Sequence, residues 1–548
     1  MKKAVPMIIA IGLILLIVSG AVGFRLVQKY LPTKEQADLM TLYQTKGNET
    51  AVFFNYELED VKGIYENGQT YLPISWINEN INKRFYWDST EQLLVYTLPN
   101  QIVYADKDTK GSNDMPLLLV REDDIYLTLG LVANYTDVQI LAFDLEQTKR
   151  IYITDWGNRE TAVVKKDGHI RVKGGIKSPV ITDVTKDSQV TVLETMETWS
   201  KVWTADGHIG YLENKKLTDI QETAVLSEKP PVVYEGTNLG EKVVLGWHQV
   251  TNMDANQYLD QILENTQGLN VISPTWFALT DNEGGYRSLA SQAYVQRAHE
   301  KGLQVWALVD NFSSDVQSEI LLSSTSTRRK LINSLMAEAE TYDLDGFNMD
   351  FEGLKPEAGP HYIQFLRELS ISCREKGLIL SVDNYVPAEY NQFYDRKEQG
   401  IVTDYVIIMG YDEHYVGSEA GSVASLPYVK DGIERTLEDV PPEKVINAIP
   451  FYTRIWTENR DGLTSEAMGI SKAKNWVKEN NVELYWQQEL GQSYGELNHD
   501  DGVSYIWMED EQSLKLKMDL IKEHDLAGVA CWKLGLEDAV VWESIGWD

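Results

Sequence analysis

The chain has 548 residues, which is enough for about three or four domains. It carries 50 Lys and Arg residues against 83 Asp and Glu residues, and a net charge of −33 argues against a nucleic-acid partner. Hydrophobic residues make up 43% of the chain and aromatic residues 10%, which excludes a globally disordered protein. Its two cysteines cannot form a disulfide framework.

The N-terminal segment from Ala4 to Phe24 contains no charged residue. A helix of this length, at about 1.5 Å per residue, matches the hydrocarbon thickness of a bilayer. We therefore expect residues 1–34 to be an uncleaved, single-pass membrane anchor, with the bulk of the chain extracellular. A cleaved secretory signal is the alternative, because Ser19 to Gly23 offers small residues for cleavage, and the protein would then be secreted.

Residues 52–155 contain short β-like runs separated by turn signals. The pair Asn67-Gly68 lies between two such runs and predicts a tight hairpin, and a helical stretch follows at Ser75 to Asn82. The segment from Gly63 to Thr97 resembles the N-terminal module of copper amine oxidases, with a looser second half to Ile153. The resemblance implies a small α+β module without copper, serving as a spacer or a ligand-binding unit.

Residues 160–222 form a second β-rich stretch. The runs Val190 to Leu193 and Trp199 to Val202 alternate apolar and polar residues at the period of a strand, and Gly210-Tyr211-Leu212 follows them. This order resembles a bacterial SH3-type domain. The resemblance implies a small β-barrel that either binds the peptide stems of cell-wall peptidoglycan or is only a spacer.

Residues 240–548 alternate short apolar runs with helical patterns. Eight such units predict an α/β fold, a (β/α)8 barrel, with a small α+β insertion at about residues 457–510 between the seventh and eighth strands. The predicted strands are Val243–His248, Val271–Ala278, Gln304–Val309, Gly346–Glu352, Ile379–Asn384, Asp404–Met409, Val445–Tyr452 and Gly528–Trp532.

The fourth predicted strand ends in a row of polar side chains. Because side chains alternate along a strand, Asn348, Asp350 and Glu352 are expected on one face, pointing into the barrel mouth. Inward carboxylates are costly unless they are used, and barrels place their chemistry at the carboxyl ends of strands. The row therefore predicts an active site, with a buried, hydrogen-bonded polar cluster as the alternative.

This segment resembles the signature of glycoside hydrolase family 18, the chitinase family, which reads Asp-Gly-x-Asp-x-Asp-x-Glu. Four positions match: Asp345, Gly346, Asp350 and Glu352. Asn348 stands where the family usually has Asp, as is typical of the branch that includes spore-cortex-lytic peptidoglycan N-acetylglucosaminidases. Three later segments also resemble family motifs in the right order: Met409 to Asp412, Ile449 to Arg454, and Trp532.

The resemblance implies a retaining glycosidase in which the 2-acetamido oxygen of the substrate attacks C1. Glu352 is then the general acid and later the base, and its pKa must be raised, which we expect from the like charge of Asp350. Asp350 should bind the acetamido N–H and stabilise the positive intermediate. Tyr411 should hydrogen-bond the acetamido carbonyl.

Further roles follow from the same resemblance. Contacts with the substrate are expected for Asn348, Asp412, Trp532, Tyr452 and Met409, with Trp532 as a flat stacking face. Asp345 and Gly346 are expected to be structural. Because Asn348 cannot exchange a proton, we expect it to hydrogen-bond Asp350 and to leave Asp350 more firmly ionised, with an altered pH profile. The eight His residues show no metal-ligand spacing, so no metal or other cofactor is expected.

The sequence therefore predicts a membrane-tethered glycosidase, facing the cell wall, that cleaves β-1,4-linked N-acetylglucosamine glycans. The anchor, the SH3-type resemblance and Asn348 favour peptidoglycan over chitin as the partner glycan. Two alternatives stay open: a chitinase or endo-N-acetylglucosaminidase, and a non-catalytic wall protein whose barrel only binds glycan.

Overall fold

The computed structural model describes residues 5–121, 124–144, 148–227 and 229–547. Residues 1–4 of the predicted anchor and residue 548 of the predicted barrel lie outside them. The chain divides into two compact units, each made of two segments. The first comprises Met1–Phe85 and Ala105–Pro231, and the second comprises Tyr86–Tyr104 and Val232–Asp548.

The first unit begins with a long apolar helix, Val5–Tyr30. Within the described residues, its Met7–Tyr30 part is the one stretch long and apolar enough to cross a membrane, judged by length and composition. Its large apolar side chains are exposed rather than packed in a core. An N-terminal helix of this kind fits a signal anchor or a signal peptide.

A seven-stranded sheet follows this helix. Two of its strands, Glu49–Phe54 and Lys149–Thr154, pair in parallel, and the other pairings are antiparallel. Asn67 and Gly68, both with positive φ, form the turn of the predicted hairpin, which is confirmed. The remaining strands are Glu57–Glu66, Gln69–Pro73, Leu118–Arg121, Asp124–Thr128 and Gln139–Phe143, and the helices are Leu39–Leu42, Ile74–Asn80 and Leu129–Tyr135.

A second seven-stranded sheet completes the first unit, and its strands pair antiparallel. Val190, Val192, Val202 and Leu212 form part of its buried core, as the alternating pattern predicts. The SH3-type character of residues 160–222 stays a prediction. The strands are Gly157–Val163, Gly168–Arg171, Val180–Val184, Gln189–Thr195, Trp199–Thr204, Ile209–Glu213 and Gln221–Val225.

Residues 86–104 belong to the second unit, although the prediction placed them inside the module of residues 52–155. Their strands form a separate three-stranded sheet: Phe85–Asp88, Leu93–Thr97 and Ile102–Ala105. Asp88 is fully buried and accepts hydrogen bonds from the Thr325 backbone N–H and hydroxyl, both at 2.6 Å. A carboxylate at the first turn of helix Thr325–Tyr342 stabilises that helix, which explains where the segment packs.

The second unit is built on eight parallel strands that close into a barrel, because the first strand pairs with both the second and the eighth. The predicted (β/α)8 barrel is therefore confirmed. Strand Tyr286–Ser288 adds to the second strand antiparallel. The barrel strands are Val243–His248, Val271–Leu279, Gln304–Asp310, Gly346–Asp350, Ile379–Tyr385, Tyr405–Met409, Val445–Pro450 and Gly528–Trp532.

Helices connect the strands, and an α+β lobe is inserted after the seventh strand. The lobe begins at Tyr452, which was predicted as the end of the seventh strand. The helices are Leu259–Ile262, Gln292–Glu300, Ser318–Leu321, Thr325–Tyr342, Gly359–Lys376, Arg396–Val402, Leu426–Leu437 and Glu511–Glu523, with Ile470–Glu479 in the lobe. The lobe strands are Tyr452–Asn459, Gly462–Gly469, Leu484–Gln487, Gln492–His499 and Gly502–Met508.

Two residues hold the fourth barrel strand in place. A Cβ atom on Gly346 would lie 2.5 Å from the carbonyl oxygen of Ile379, so the close approach of the fourth and fifth strands requires glycine. Asp345 accepts hydrogen bonds from the backbone N–H of Val305 at 2.7 Å and from Nε2 of His299 at 2.8 Å. These contacts give Gly346 and Asp345 structural tasks below the mouth of the barrel.

Candidate active site

Three aspartates lie at the same level near the carboxyl ends of neighbouring barrel strands. Asp310 on the third strand pairs in register with Asp350 on the fourth, and the register between Met349 and Val382 brings Asp383 next to Asp350. Each keeps less than a tenth of its surface exposed. Because parallel neighbours in register point to the same side at a strand spacing of about 4.8 Å, the barrel mouth concentrates three carboxyl groups.

Glu352 lies just beyond the regular part of the fourth strand, which ends at Asp350 rather than at Glu352 as predicted. Asn311 holds it by its backbone: Asn311 Oδ1 accepts from the Glu352 N–H and Asn311 Nδ2 donates to the Glu352 carbonyl, both at 2.9 Å. The Tyr385 hydroxyl donates to Glu352 Oε2 at 2.6 Å. The carboxyl group is thus positioned from the third and fifth strands.

The pKa of Glu352 is raised above its ordinary value, mainly by burial. The hydrogen bond from Tyr385 lowers that pKa in part, and the charges of Asp412 and Asp310 raise it. The prediction that the like charge of Asp350 is the main cause needs correction, because burial comes first; the repulsion between Asp350 and Glu352 is present and raises the pKa of Asp350. The raised pKa favours the protonated form that a general acid needs.

Asp350 has a buried oxygen, Oδ1, with no hydrogen-bond partner in the described part of the chain. Its pKa is raised well above the ordinary value by burial and then by the charges of Asp383, Glu352 and Asp310. The expectation that Asp350 stays firmly ionised is therefore wrong. An unpaired, buried carboxylate is costly, so the surroundings of Asp350 favour its protonated form.

Asn348 is fully buried, and its amide already makes four hydrogen bonds. Its Oδ1 accepts from Trp247 Nε1 at 2.8 Å and from Ser273 Oγ at 3.2 Å. Its Nδ2 donates to Ser381 Oγ at 3.1 Å and to Asp383 Oδ1 at 2.8 Å. The predicted substrate contact is therefore wrong, because no donor or acceptor is left for it.

The predicted hydrogen bond between Asn348 and Asp350 is not formed either. Residues two apart on one strand point the same way, but groups on neighbouring strands reach the Asn348 amide first. The amide instead binds Trp247 and Ser273 through its oxygen and Asp383 through its nitrogen.

Tyr411 follows the sixth strand. Its pKa is raised well above the ordinary value, mainly by burial and then by the Asp350 charge, so its hydroxyl remains a neutral donor. Asp412, in the left-handed region with a φ of 56°, accepts from the Tyr452 hydroxyl at 2.5 Å. Arg454 lies 3.9 Å from the same Asp412 oxygen. Tyr452 thus positions Asp412, which is exposed at the barrel mouth.

Trp532 ends the eighth strand and keeps part of its ring exposed, next to the buried Trp247 ring at a centroid distance of 5.7 Å. Stacking of a sugar on Trp532 stays a prediction that this position supports. Tyr452 and Met409 are 6% and 7% exposed, so little surface is left for the substrate contacts predicted for them.

Sequence reasoning missed four residues of this site: Asp310, Asn311, Asp383 and Tyr385. The predicted third and fifth strands stopped one residue short of Asp310 and Tyr385. Their signal in the sequence is their position at or near the carboxyl end of a predicted barrel strand, which applies to every strand and not only to the fourth.

Comparisons with known proteins place this barrel in a family. The family model for glycosyl hydrolases family 18 matches residues 245–537. An uncharacterised glycosylase of Bacillus subtilis (strain 168) is 27% identical over 293 residues, which cover 50% of this chain and 84% of that protein. A cortical fragment-lytic enzyme of the same organism is 28% identical over 238 residues, 42% of this chain. The match spans only 55% of that enzyme's length.

Solved structures share the fold. A chitinase from Chromobacterium violaceum superposes with a TM-score of 0.50 at 20% identity, covering 55% of this chain and 97% of that one. A spore cortex-lytic enzyme from Bacillus megaterium gives a TM-score of 0.50 at 21% identity, covering 59% and 78%. Because the family model matches more than half of the 548 residues, the chain belongs to glycosyl hydrolases family 18 and is a glycoside hydrolase.

Proposed function

We propose that this hydrolase cleaves β-1,4-linked N-acetylglucosamine glycans with retention of the anomeric configuration, using the substrate's 2-acetamido oxygen as the nucleophile. The observation that carries the proposal is the group around Glu352. The Glu352 carboxyl group, half-buried and with a raised pKa, interacts electrostatically with Asp350, whose Oδ1 is unpartnered in the described residues, and with the neutral Tyr411 hydroxyl. Glu352 can therefore act as the acid, Asp350 Oδ1 can accept a hydrogen bond from an amide N–H, and the Tyr411 hydroxyl can donate one to an amide carbonyl.

In the first step Glu352 gives its proton to the departing glycosidic oxygen. The resulting carboxylate is stabilised by the hydrogen bond from Tyr385, at 2.6 Å. Most glycosidases then use a second carboxylate as the nucleophile. Here Asp350 Oδ1 accepts the acetamido N–H, and Tyr411 holds the acetamido oxygen near C1. Glu352 finally takes a proton from the water that opens the cyclic intermediate.

For the substrate we propose cell-wall peptidoglycan. The relative named as a cortical fragment-lytic enzyme supports a wall glycan, although the match covers about half of that enzyme. We further propose that helix Val5–Tyr30 tethers the chain to the membrane, with the catalytic unit facing the wall. Residues 160–222 are proposed as an SH3-type domain for peptide stems. Residues 52–155, apart from the segment 86–104 that belongs to the second unit, are proposed as an amine-oxidase-like spacer.

Mass spectrometry of the products tests the substrate. The full-length chain, purified in detergent, is incubated in parallel with peptidoglycan, chitooligosaccharides and an N-glycosylated protein. We expect soluble wall fragments that end in reducing N-acetylglucosamine. Reducing N-acetylmuramic acid ends would contradict the proposed bond, and turnover of chitooligosaccharides alone would favour a chitinase. Binding of a glycan without turnover of any substrate would favour a non-catalytic binding protein.

Tyr385→Phe should shift the pH dependence of catalysis. The Tyr385 hydrogen bond favours the ionised form of Glu352 and so lowers its pKa. Its removal should raise that pKa and move the alkaline limb of the kcat profile to higher pH, with kcat about tenfold lower. Tyr390→Phe is the matched control, because Tyr390 is 75% exposed on the short helical turn Glu389–Tyr394 after the same strand. A shift to lower pH would contradict the proposed contact.

A further inference from the structure

Asp383, on the fifth barrel strand, is a buried carboxyl group that takes no part in the proposed acid–base steps of Glu352. It is 2% exposed, and its Oδ1 accepts from Asn348 Nδ2 at 2.8 Å. Asn348 is itself fixed on its other side by Trp247 and Ser273. The barrel interior thus uses a fully bonded amide to hold one specific carboxylate in place.

Asp383 is held at the level of Asp350. The pairing of Asn348 with Ser381 and of Met349 with Val382 makes Asp383 the next neighbour of Asp350 across the two strands. Asp350 is 5% exposed, and its buried Oδ1 has no partner among the described residues. Two adjacent, buried carboxyl groups cannot both be ionised without a large cost, so such a pair retains one proton.

We propose that Asp350 and Asp383 form a pair that holds one proton, and that Asp383 is the positioning residue that sets the charge on Asp350 during turnover. The proposal rests on the proposed function. While positive charge develops on the substrate, the proton moves from Asp350 to the Asp383 carboxylate, so Asp350 becomes the anion that faces the substrate. The proton returns after hydrolysis, and the pair keeps its total charge throughout.

The surroundings favour such a pair. Burial comes first among the causes that raise the pKa of both groups, and the Asp383 charge is the next cause for Asp350. The hydrogen bond from Asn348 opposes the rise only for Asp383, which makes it the better holder of negative charge in the resting enzyme. The titratable groups that interact with the pair are Glu352, Asp310, Tyr362, Tyr394 and Tyr411.

Three variants test the pair through kcat–pH profiles. Asp383→Asn keeps an acceptor for the Asn348 amide but removes the negative charge of Asp383 next to Asp350. We expect the alkaline limb to move by about one unit to lower pH and kcat to fall about tenfold, because the remaining carboxyl groups lose their protons earlier. Asn348→Asp adds a carboxylate and should move the limb to higher pH.

The double variant Asn348→Asp with Asp383→Asn is the decisive control. It moves the carboxylate to the neighbouring strand, exchanges donor and acceptor, and conserves the total charge. We expect it to restore the wild-type limb to within about half a unit, because the total charge is conserved. Asp383→Asn alone keeps an acceptor for the Asn348 amide, so its shifted limb reports the charge and not the contact. A wild-type profile in Asp383→Asn, or no recovery in a folded double variant, would overturn the pair.

A measurement on the wild-type chain keeps this inference separate from the proposed function. Infrared spectra with 13C-labelled aspartate report the carbonyl stretch of protonated carboxyl groups without substrate. One protonated aspartate at pH 7 that disappears in Asp350→Asn supports the pair, and its absence from the wild type overturns it. Failure of the wild type to hydrolyse any N-acetylated glycan would instead overturn the proposed function and leave this result standing.

Discussion

Glu352→Gln should lower kcat about a thousandfold while leaving KM within about threefold of the wild type. The amide has nearly the shape of the carboxyl group, but it can neither protonate the leaving oxygen nor take a proton from water. Tyr385 can still donate to the amide oxygen, so the contact at 2.6 Å survives. The measurement is the release of reducing ends at saturating glycan.

Glu357→Gln is the matched control for this change. Glu357 lies five positions further along the chain, on the short helical turn Pro356–Ala358, and is exposed. It makes the same change of side chain without touching the cleft, so wild-type kcat is expected. Thermal unfolding of both variants separates loss of chemistry from loss of fold. More than a tenth of the wild-type kcat in Glu352→Gln would contradict the role of Glu352.

Tyr411→Phe should lower kcat about a hundredfold. The buried hydroxyl is the donor that we assign to the acetamido carbonyl, and loss of one such donor in a water-excluded site costs about two to three orders of magnitude. The ring remains, so its contact with Tyr452 at a centroid distance of 6.3 Å is preserved. The effect should therefore fall on kcat rather than on unfolding temperature.

Tyr415→Phe serves as the control for Tyr411→Phe. Tyr415 is 56% exposed on the same loop, four positions further on, so removal of its hydroxyl should change neither kcat nor KM. A Tyr411→Phe variant with unchanged kcat and a raised KM would show that Tyr411 only binds the ground state, and the proposed alignment of the acetamido oxygen would then be wrong.

The barrel was accessible to sequence reasoning because its strands are buried on both faces and form nearly continuous apolar runs. The first and eighth strands, Val243–His248 and Gly528–Trp532, have the predicted bounds. The end of the fourth strand was not accessible. It depends on Asn311, whose side chain binds the Glu352 backbone N–H and carbonyl in place of the hydrogen bonds of a neighbouring strand.

The motif residues Asp350 and Glu352 were found from their spacing, but their partners were not. Partners across a parallel sheet depend on register, and a sequence without strand alignment does not fix it. Asn348 illustrates the consequence: its period along the strand pointed to Asp350, whereas its amide binds the fifth strand, at Ser381 in register and at Asp383 two residues further on.

The segment 86–104 shows the same difficulty for domain limits. Its short strands have the same local pattern as those on either side of it. What assigns it to the second unit is the contact of Asp88 with Thr325, more than two hundred residues away. Local periodicity carries no information about such a contact.

The stereochemistry of the first product tests the account most directly. Proton NMR of the anomeric signals is recorded within the first minutes of hydrolysis of an N-acetylglucosamine glycan by the wild-type chain. Participation of the acetamido group, with Glu352 acting first as acid and then as base, predicts that the new reducing end appears as the β-anomer and only later mutarotates. Initial appearance of the α-anomer would mean direct attack by water, and the roles given to Asp350 and Tyr411 would be wrong.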